Sequence, residues 1–426
     1  MKIAIVTAGG AGMFCGSCMH DNTWARGLMG LGLDVTLIPT YTPIRVDEDD
    51  ASLARVFYGG LNVYLNSKSR WWRRMPRVLT RWVDHPAVIR WATRRAVSND
   101  ATELGELTLS MLAGEHGPHR AAGEELVEYL VGELNPDVVI FSNALLSGVV
   151  PGLRDRFRGR LICMLQGDDV FLDGLPEQYR ADVIEHIREN SQGFDAFLTH
   201  SRFYRDYISH YLSLPVEKFQ VIPLCLDLTG HIGEPVEHPG RSFTVGYFAR
   251  IAPEKGLHHL IPAFERLKAK VPEALLRIGG YLPPQHESYL RSQLEMLKRF
   301  DSDCEYIGSP ATHEGKVDFL RSVDVLSVPT EFQEPKGIYV LEAMANGVPV
   351  VQPSHGAFPE LLAATAGGLL VPPRDSQALA EALVEFTDLE TRVEFARRGW
   401  LAVREHYTIE AGAQRTLDAI RRIPGN

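Results

Sequence analysis

Short apolar runs recur along this chain with helix-length segments between them, and they come in two successive groups. The first group holds Ile3 to Val6, LDVTLIPTY from Leu33, DVVIFSNALL from Asp137, RLICMLQ ending at Gln166, DAFLTHS ending at Ser201 and FQVIPLCLD ending at Asp227. Runs that are apolar throughout, instead of alternating, belong to strands buried on both faces, and such strands sit in parallel sheets covered by helices. After TGHIGEPVEHPGR, Thr229 to Arg241, which has a linker's composition, the pattern starts again. FTVGYFARI, ALLRIGGY, CEYIGS, VDVLSVPT, GVPVVQP and GGLLVPP read as strands, separated by stretches such as LHHLIPAFERLKAK and SYLRSQLEMLKRF that read as helices. The expected fold class is α/β, with two Rossmann-like doubly wound parallel-sheet domains facing across a cleft.

Size agrees with this reading, since 426 residues most easily make two domains of about 200. A net charge of −10 argues against nucleic acid as a partner. Five cysteines without framework spacing point to a reducing compartment, and no run approaches the ~18 apolar residues of a membrane span, so a cytoplasmic location is expected. One segment departs from the average. From Arg70 to Arg95 there are eight arginines, one aspartate and four of the six tryptophans. Two readings stay open for it: a peripheral contact with the inner membrane face, or helices whose tryptophans pack inward and whose arginines stay solvated.

The opening βαβ pattern carries a glycine-rich loop, GGAGMFCGSCMHDN, with Asp21 or Asn22 expected to cap a helix bearing Trp24, Leu28 and Leu31. A dinucleotide site would need a third glycine where Cys15 stands and an acidic residue at the end of the second strand, where the chain reads Pro39, Thr40 and Tyr41. Cys15 and Cys18 have redox-pair spacing, but no second pair completes a zinc site, so a tight loop built of small residues is favoured.

Chemistry concentrates in two stretches of the second half. In EPKGIYVLEAMANGVPVVQPSHGAFPE, Glu334 and Glu342 are spaced so that one falls in a loop and the other inside the helix that follows; Gly337 lies at that helix's N-terminus, where free N–H groups attract phosphate. In ARIAPEKG, Arg250 and Lys255 follow the carboxyl end of a strand and can neutralise a diphosphate.

These motifs in this order, with the GAFPE turn and VIPLCLD at Val221, resemble the retaining glycosyltransferases of the type-B fold, family 4, which includes sucrose synthases and bacterial mannosyltransferases. The resemblance covers most of the chain. It implies transfer of a sugar from a nucleoside-diphosphate sugar to a hydroxyl acceptor, with no metal and no separate cofactor. Arg250 and Lys255 would bind the diphosphate, Glu334 the sugar hydroxyls, the backbone at Lys336, Gly337 and Ile338 the phosphates, and Glu342 the ribose. Gly12 and Gly16 of the opening loop would lie near the donor phosphates and the acceptor. It further implies a first domain over residues 1–229, joined by a C-terminal helix at about 408–426 that packs back on it, and a donor domain over 230–407.

Two positions depart from the family pattern. Lys336 stands where the family has Phe, and QGDD replaces the usual histidine after the strand RLICMLQ, leaving Gln166, Asp168, Asp169 and His200 as candidates for the polar group beside the reacting carbon. Asp168 and Asp169 are also candidates for a covalent nucleophile. A glycoside phosphorylase, a nucleotide-sugar hydrolase or epimerase on the same scaffold, or a non-catalytic sugar-binding protein are the competing readings.

Overall fold

The computed structural model of the chain describes residues 1–9, 16–44, 46, 49–58, 101–231, 234–235 and 241–424. Gly12 and Cys15 of the opening loop and the arginine- and tryptophan-rich segment 70–95 lie outside them. The chain divides into two compact units, Met1–Cys225 with Gly412–Asn426, and Leu226–Ala411.

The first unit is built on a six-stranded parallel sheet in the order β2-β1-β3-β4-β5-β6. The strands are β1 (Lys2–Thr7), β2 (Asp34–Pro39), β3 (Val138–Phe141), β4 (Arg160–Met164), β5 (Ala196–Thr199) and β6 (Phe219–Val221). Successive residues of one strand point to opposite faces, and both faces are buried. Ala4, Val6, Val139, Phe141 and Leu161 enter one core, together with Leu126, Leu153 and Ile187 from covering helices. Ile3, Ile5, Val138, Ile140 and Ile162 enter the other, with Trp24 and Leu28 from the helix Gly16–Gly30 and Ala413 and Ile420 from the helix Ile409–Arg422. The last helix is tied down by the Trp24 indole N–H, which donates to Thr416 Oγ1 at 2.5 Å, and by Gly412, where a Cβ would lie 2.3 Å from that of Cys225.

The helix after β1 starts at Gly16, so Asp21 and Asn22 lie inside it, fully buried, and neither caps it. Their side chains are engaged elsewhere. Asp21 accepts from Thr7 Oγ1 at 2.7 Å, and Asn22 exchanges hydrogen bonds with the backbone of Asp49 and Ala51 at 2.9 Å each. The helical stretch read over Glu103 to Leu134 is also broken, because Gly114 takes a left-handed φ of 51° and packs against the backbone of Gly148.

The second unit repeats the plan in the order β12-β11-β10-β7-β8-β9, again all parallel. Its strands are β7 (Thr244–Phe248), β8 (Leu275–Gly279), β9 (Cys304–Tyr306), β10 (Val325–Ser327), β11 (Val350–Pro353) and β12 (Gly368–Val371). The order reverses between β7 and β10, and the crevice outside the carboxyl ends at such a switch point is where doubly wound sheets take ligands. Among the described residues no helix is long and apolar enough to cross a membrane.

Candidate functional site

Two loops meet at the switch point of the second unit. The chain leaving β7 passes Arg250 and makes a single turn, Pro253–Lys255, closed by Gly256. The chain leaving β10 runs through Glu331 and Glu334 to Gly337, which precedes the helix Ile338–Ala345. Lys255 Nζ donates to Glu334 Oε2 at 2.6 Å, and the Tyr339 hydroxyl lies 3.4 Å from the same oxygen. The ammonium also sits 4.5 Å from the centre of the Phe332 ring, a favourable place for a cation. Burial alone would raise the Glu334 carboxyl; the charge and hydrogen bond of Lys255, then Lys336 and the Gly337 N–H, outweigh it and hold the group below the usual carboxylate range. The result is a nearly buried, ionised carboxylate beside a cation and a helix N-terminus.

Glycines make this close approach feasible. At Gly256 φ is +73°, and a Cβ there would fall 1.8 Å from the Pro329 carbonyl oxygen, so the turn carrying Lys255 lies directly on the loop after β10. At Gly356 φ is +61°, a Cβ would lie 2.6 Å from both the N and O of Glu334, and Ala357 N donates to Glu334 O at 2.8 Å. The turn of the GAFPE motif is thus a cradle for the backbone of Glu334. Gly256→Ala is expected to destabilise the second unit by at least about 2 kcal/mol, since left-handed strain alone costs about 1–2 kcal/mol and the carbonyl overlap adds to it. Denaturant unfolding indistinguishable from that of the parent would refute this packing.

The other predicted residues of this unit are placed as follows. Arg250 is exposed and paired with Glu254. Lys336 and Ile338 flank Gly337 and are partly exposed. Glu342 is buried inside the helix, with Lys316 Nζ donating to its Oε1 at 2.8 Å. Lys316 carries no motif and does not stand out in the sequence; its spacing from Glu342 is set by the fold alone.

In the first unit, polar side chains gather at the carboxyl ends of β1, β3, β4 and β5. Gln166 Nε2 donates to Asp21 Oδ1 at 3.0 Å and to the Ser142 carbonyl at 3.1 Å. His200 Nδ1 lies 3.0 Å from the Ile222 carbonyl oxygen, and its ring is 4.3 Å from that of His20 in an edge-to-face contact. Asp168 accepts from the backbone N–H of Ala144 at 2.7 Å and of Gln166 at 3.1 Å, and Asp169 accepts from the Tyr204 hydroxyl at 2.6 Å. That hydroxyl in turn accepts from the N–H groups of Gly167 and Asp168, so Tyr204 fastens the whole QGDD turn. Asp21, His20 and Tyr204 were missing from the predicted cluster because a polar residue within a helix sends no signal by spacing. Gly16 is the exposed first residue of its helix, and Cys18 is buried in it.

Burial raises the Asp168 carboxyl to about 6 despite its backbone hydrogen bonds, with Asp169 adding to the rise. A carboxyl raised on folding stabilises at pH below its unfolded value, and that contribution is lost as pH climbs through the folded value. Asp168→Asn is therefore expected to gain stability relative to the parent between about pH 4 and 7, by up to about 3 kcal/mol. Parallel pH–stability curves would show that the carboxylate is ionised without penalty.

Residues 232–399 match the family model described as "Glycosyl transferases group 1". The "Putative colanic acid biosynthesis glycosyltransferase WcaL" of Escherichia coli (strain K12) is 30% identical over 239 residues, 55% of this chain and 57% of that protein. The chain thus spans a little over half the length of this curated relative. Among solved structures, sucrose-phosphate synthase from Thermosynechococcus elongatus is similar with a TM-score of 0.72 and 18% identity, covering 99% of each chain. Anabaena HepE in complex with UDP is similar with a TM-score of 0.66 and 17% identity, covering 99% of this chain and 100% of that one. The fold is that of the type-B glycosyltransferases.

Proposed function

We propose that the protein is a glycosyltransferase of the retaining type, family 4, that moves a sugar from a nucleoside-diphosphate donor to a hydroxyl acceptor. The observation that carries this reading is the Lys255–Glu334 pair at the switch point of the second sheet, next to the helix N-terminus at Gly337. A sugar donor needs both halves of such a site: cations and amides for the diphosphate, and an ionised carboxylate for sugar hydroxyls. The family match over this unit and the UDP bound by the similar HepE support the choice of donor class.

In this reading the bond between the anomeric carbon and the diphosphate oxygen breaks as the acceptor oxygen attacks from the same face. The departing phosphate oxygen takes the acceptor proton. Lys255, Arg250 and the N–H groups at Gly337 and Ile338 stabilise the charge growing on the leaving group, and such preorganised stabilisation is the main source of rate enhancement in a reaction of this kind. No metal is assigned to that role. Glu342, held by Lys316, is assigned to the ribose. In the first unit, Gln166, Asp168, Asp169 and His200 are assigned to the acceptor side. The colanic acid biosynthesis named for the E. coli relative favours a glycan acceptor, and a location at the inner membrane face belongs to the same reading.

A thermal-shift panel of UDP, GDP, ADP, their sugar conjugates and NAD tests the reading. A ligand at 100 times its dissociation constant adds about 2.7 kcal/mol, enough for a shift of several degrees. A response to one nucleoside diphosphate and its sugar conjugate, without NAD, is expected. A response to NAD alone would overturn the proposal.

A further inference from the structure

Outside the Lys255–Glu334 pair, the second unit holds a second convergence of ligand atoms. His258 and His259 occupy the first turn of the helix Leu257–Lys270, and Glu331 stands on the loop after β10. His258 Nε2 lies 3.1 Å and His259 Nε2 2.8 Å from the same carboxylate oxygen, Glu331 Oε1. The three atoms lie within 4.8 Å of one another, and all three side chains are partly exposed. Arg374 Nε, on a largely exposed side chain, is 3.8 Å from that oxygen too, so three groups able to carry positive charge converge on it. Such convergence marks a place where a compact dication can replace several weaker donors.

We propose that His258, His259 and Glu331 form a binding site for a divalent transition-metal ion of the zinc class, separate from the chemistry assigned to Lys255 and Glu334. Two imidazoles and one carboxylate make a donor set that suits Zn2+ and its neighbours, with the remaining positions open to water. Imidazole binds metal through an unprotonated nitrogen, and the other ring nitrogen then needs an acceptor. His258 has one in place, because its Nδ1 lies 2.9 Å from the Tyr289 hydroxyl oxygen. Binding moves the ring proton from Nε2 to Nδ1, so His258 stays neutral and Tyr289 becomes the acceptor. The backbone is already joined at this point, with Glu331 N donating to Glu254 O at 2.9 Å. A metal here clips the loop after β10 to the start of the helix that follows Gly256, and that loop continues to Glu334.

The test uses the whole chain, stripped with a chelator and titrated with Co2+ and then Zn2+. One equivalent of Co2+ is expected to bind with the visible d–d absorption of nitrogen and oxygen ligation, and Zn2+ is expected to displace it. His259→Gln and Glu331→Gln should each weaken binding by about tenfold or more while the metal-free melting temperature stays near that of the parent. Should either variant fold poorly, His258→Gln replaces it. Binding equally tight in the variants, binding only at millimolar Co2+, or a near-ultraviolet thiolate band pointing to the cysteines would overturn the proposal.

Discussion

Glu334→Ala is expected to lower sugar transfer by about 10²–10³-fold while nucleoside-diphosphate affinity stays nearly unchanged. The magnitude is that of removing one preorganised polar group from a transition state, and the asymmetry follows from what the carboxylate faces. Glu334 is held ionised by Lys255, Lys336 and the Gly337 N–H. In the proposed function a buried anion beside the diphosphate repels the phosphates, so its contribution comes through sugar hydroxyls. Calorimetry with the nucleoside diphosphate and a turnover assay separate the two effects, and a matching loss of diphosphate affinity would remove Glu334 from the sugar.

Lys255→Ala is expected to act on stability as well as on binding. Deleting one partner of a buried ion pair costs about 3–5 kcal/mol because the other charge is left uncompensated. Here the lower end applies, since Lys336 and the Gly337 N–H still face the carboxylate. The pH dependence identifies the cause. In the parent, the depressed Glu334 carboxyl contributes stability above the ordinary carboxylate value, and that contribution is lost as pH falls through the folded value. In the variant this contribution is gone, so the gap between the two proteins should narrow on acidification into the carboxylate range. A gap independent of pH would assign the loss to the contact of the lysine ammonium with the Phe332 ring instead.

Much of the fold was legible because parallel strands buried on both faces must be apolar along their whole length. Residues such as Ile3, Val139, Leu161, Val245 and Leu326 announce themselves in the sequence and are all fully buried in the structure. Positions fixed by local backbone rules were readable too: Gly337 precedes a helix because its left-handed φ of 75° suits a residue without a side chain. What escaped was set by tertiary neighbours. Asp21 has the chemistry of a helix cap, yet Thr7 and Gln166 claim its carboxylate from other parts of the chain. Lys316 reads as a surface charge and is buried against Glu342. His258 and His259 are adjacent residues with no ligand spacing, and only the loop that brings Glu331 to them makes them a group.

The helix Ile409–Arg422 has a consequence for the order in which the protein is made. Ala413 and Ile420 belong to a core that also holds Ile3, Ile5 and Val138 from the first unit's earliest strands, and the whole of Leu226–Ala411 is synthesised in between. At ordinary elongation rates that interval is roughly 10–40 s. Throughout it, one face of a nearly finished sheet waits with Trp24 and its neighbours uncovered by that helix, while the second unit is still being made. The helix that covers this face is therefore added only once the second unit has been translated, so a chain interrupted before Ile409 leaves Trp24, Ile3 and Ile5 without that cover.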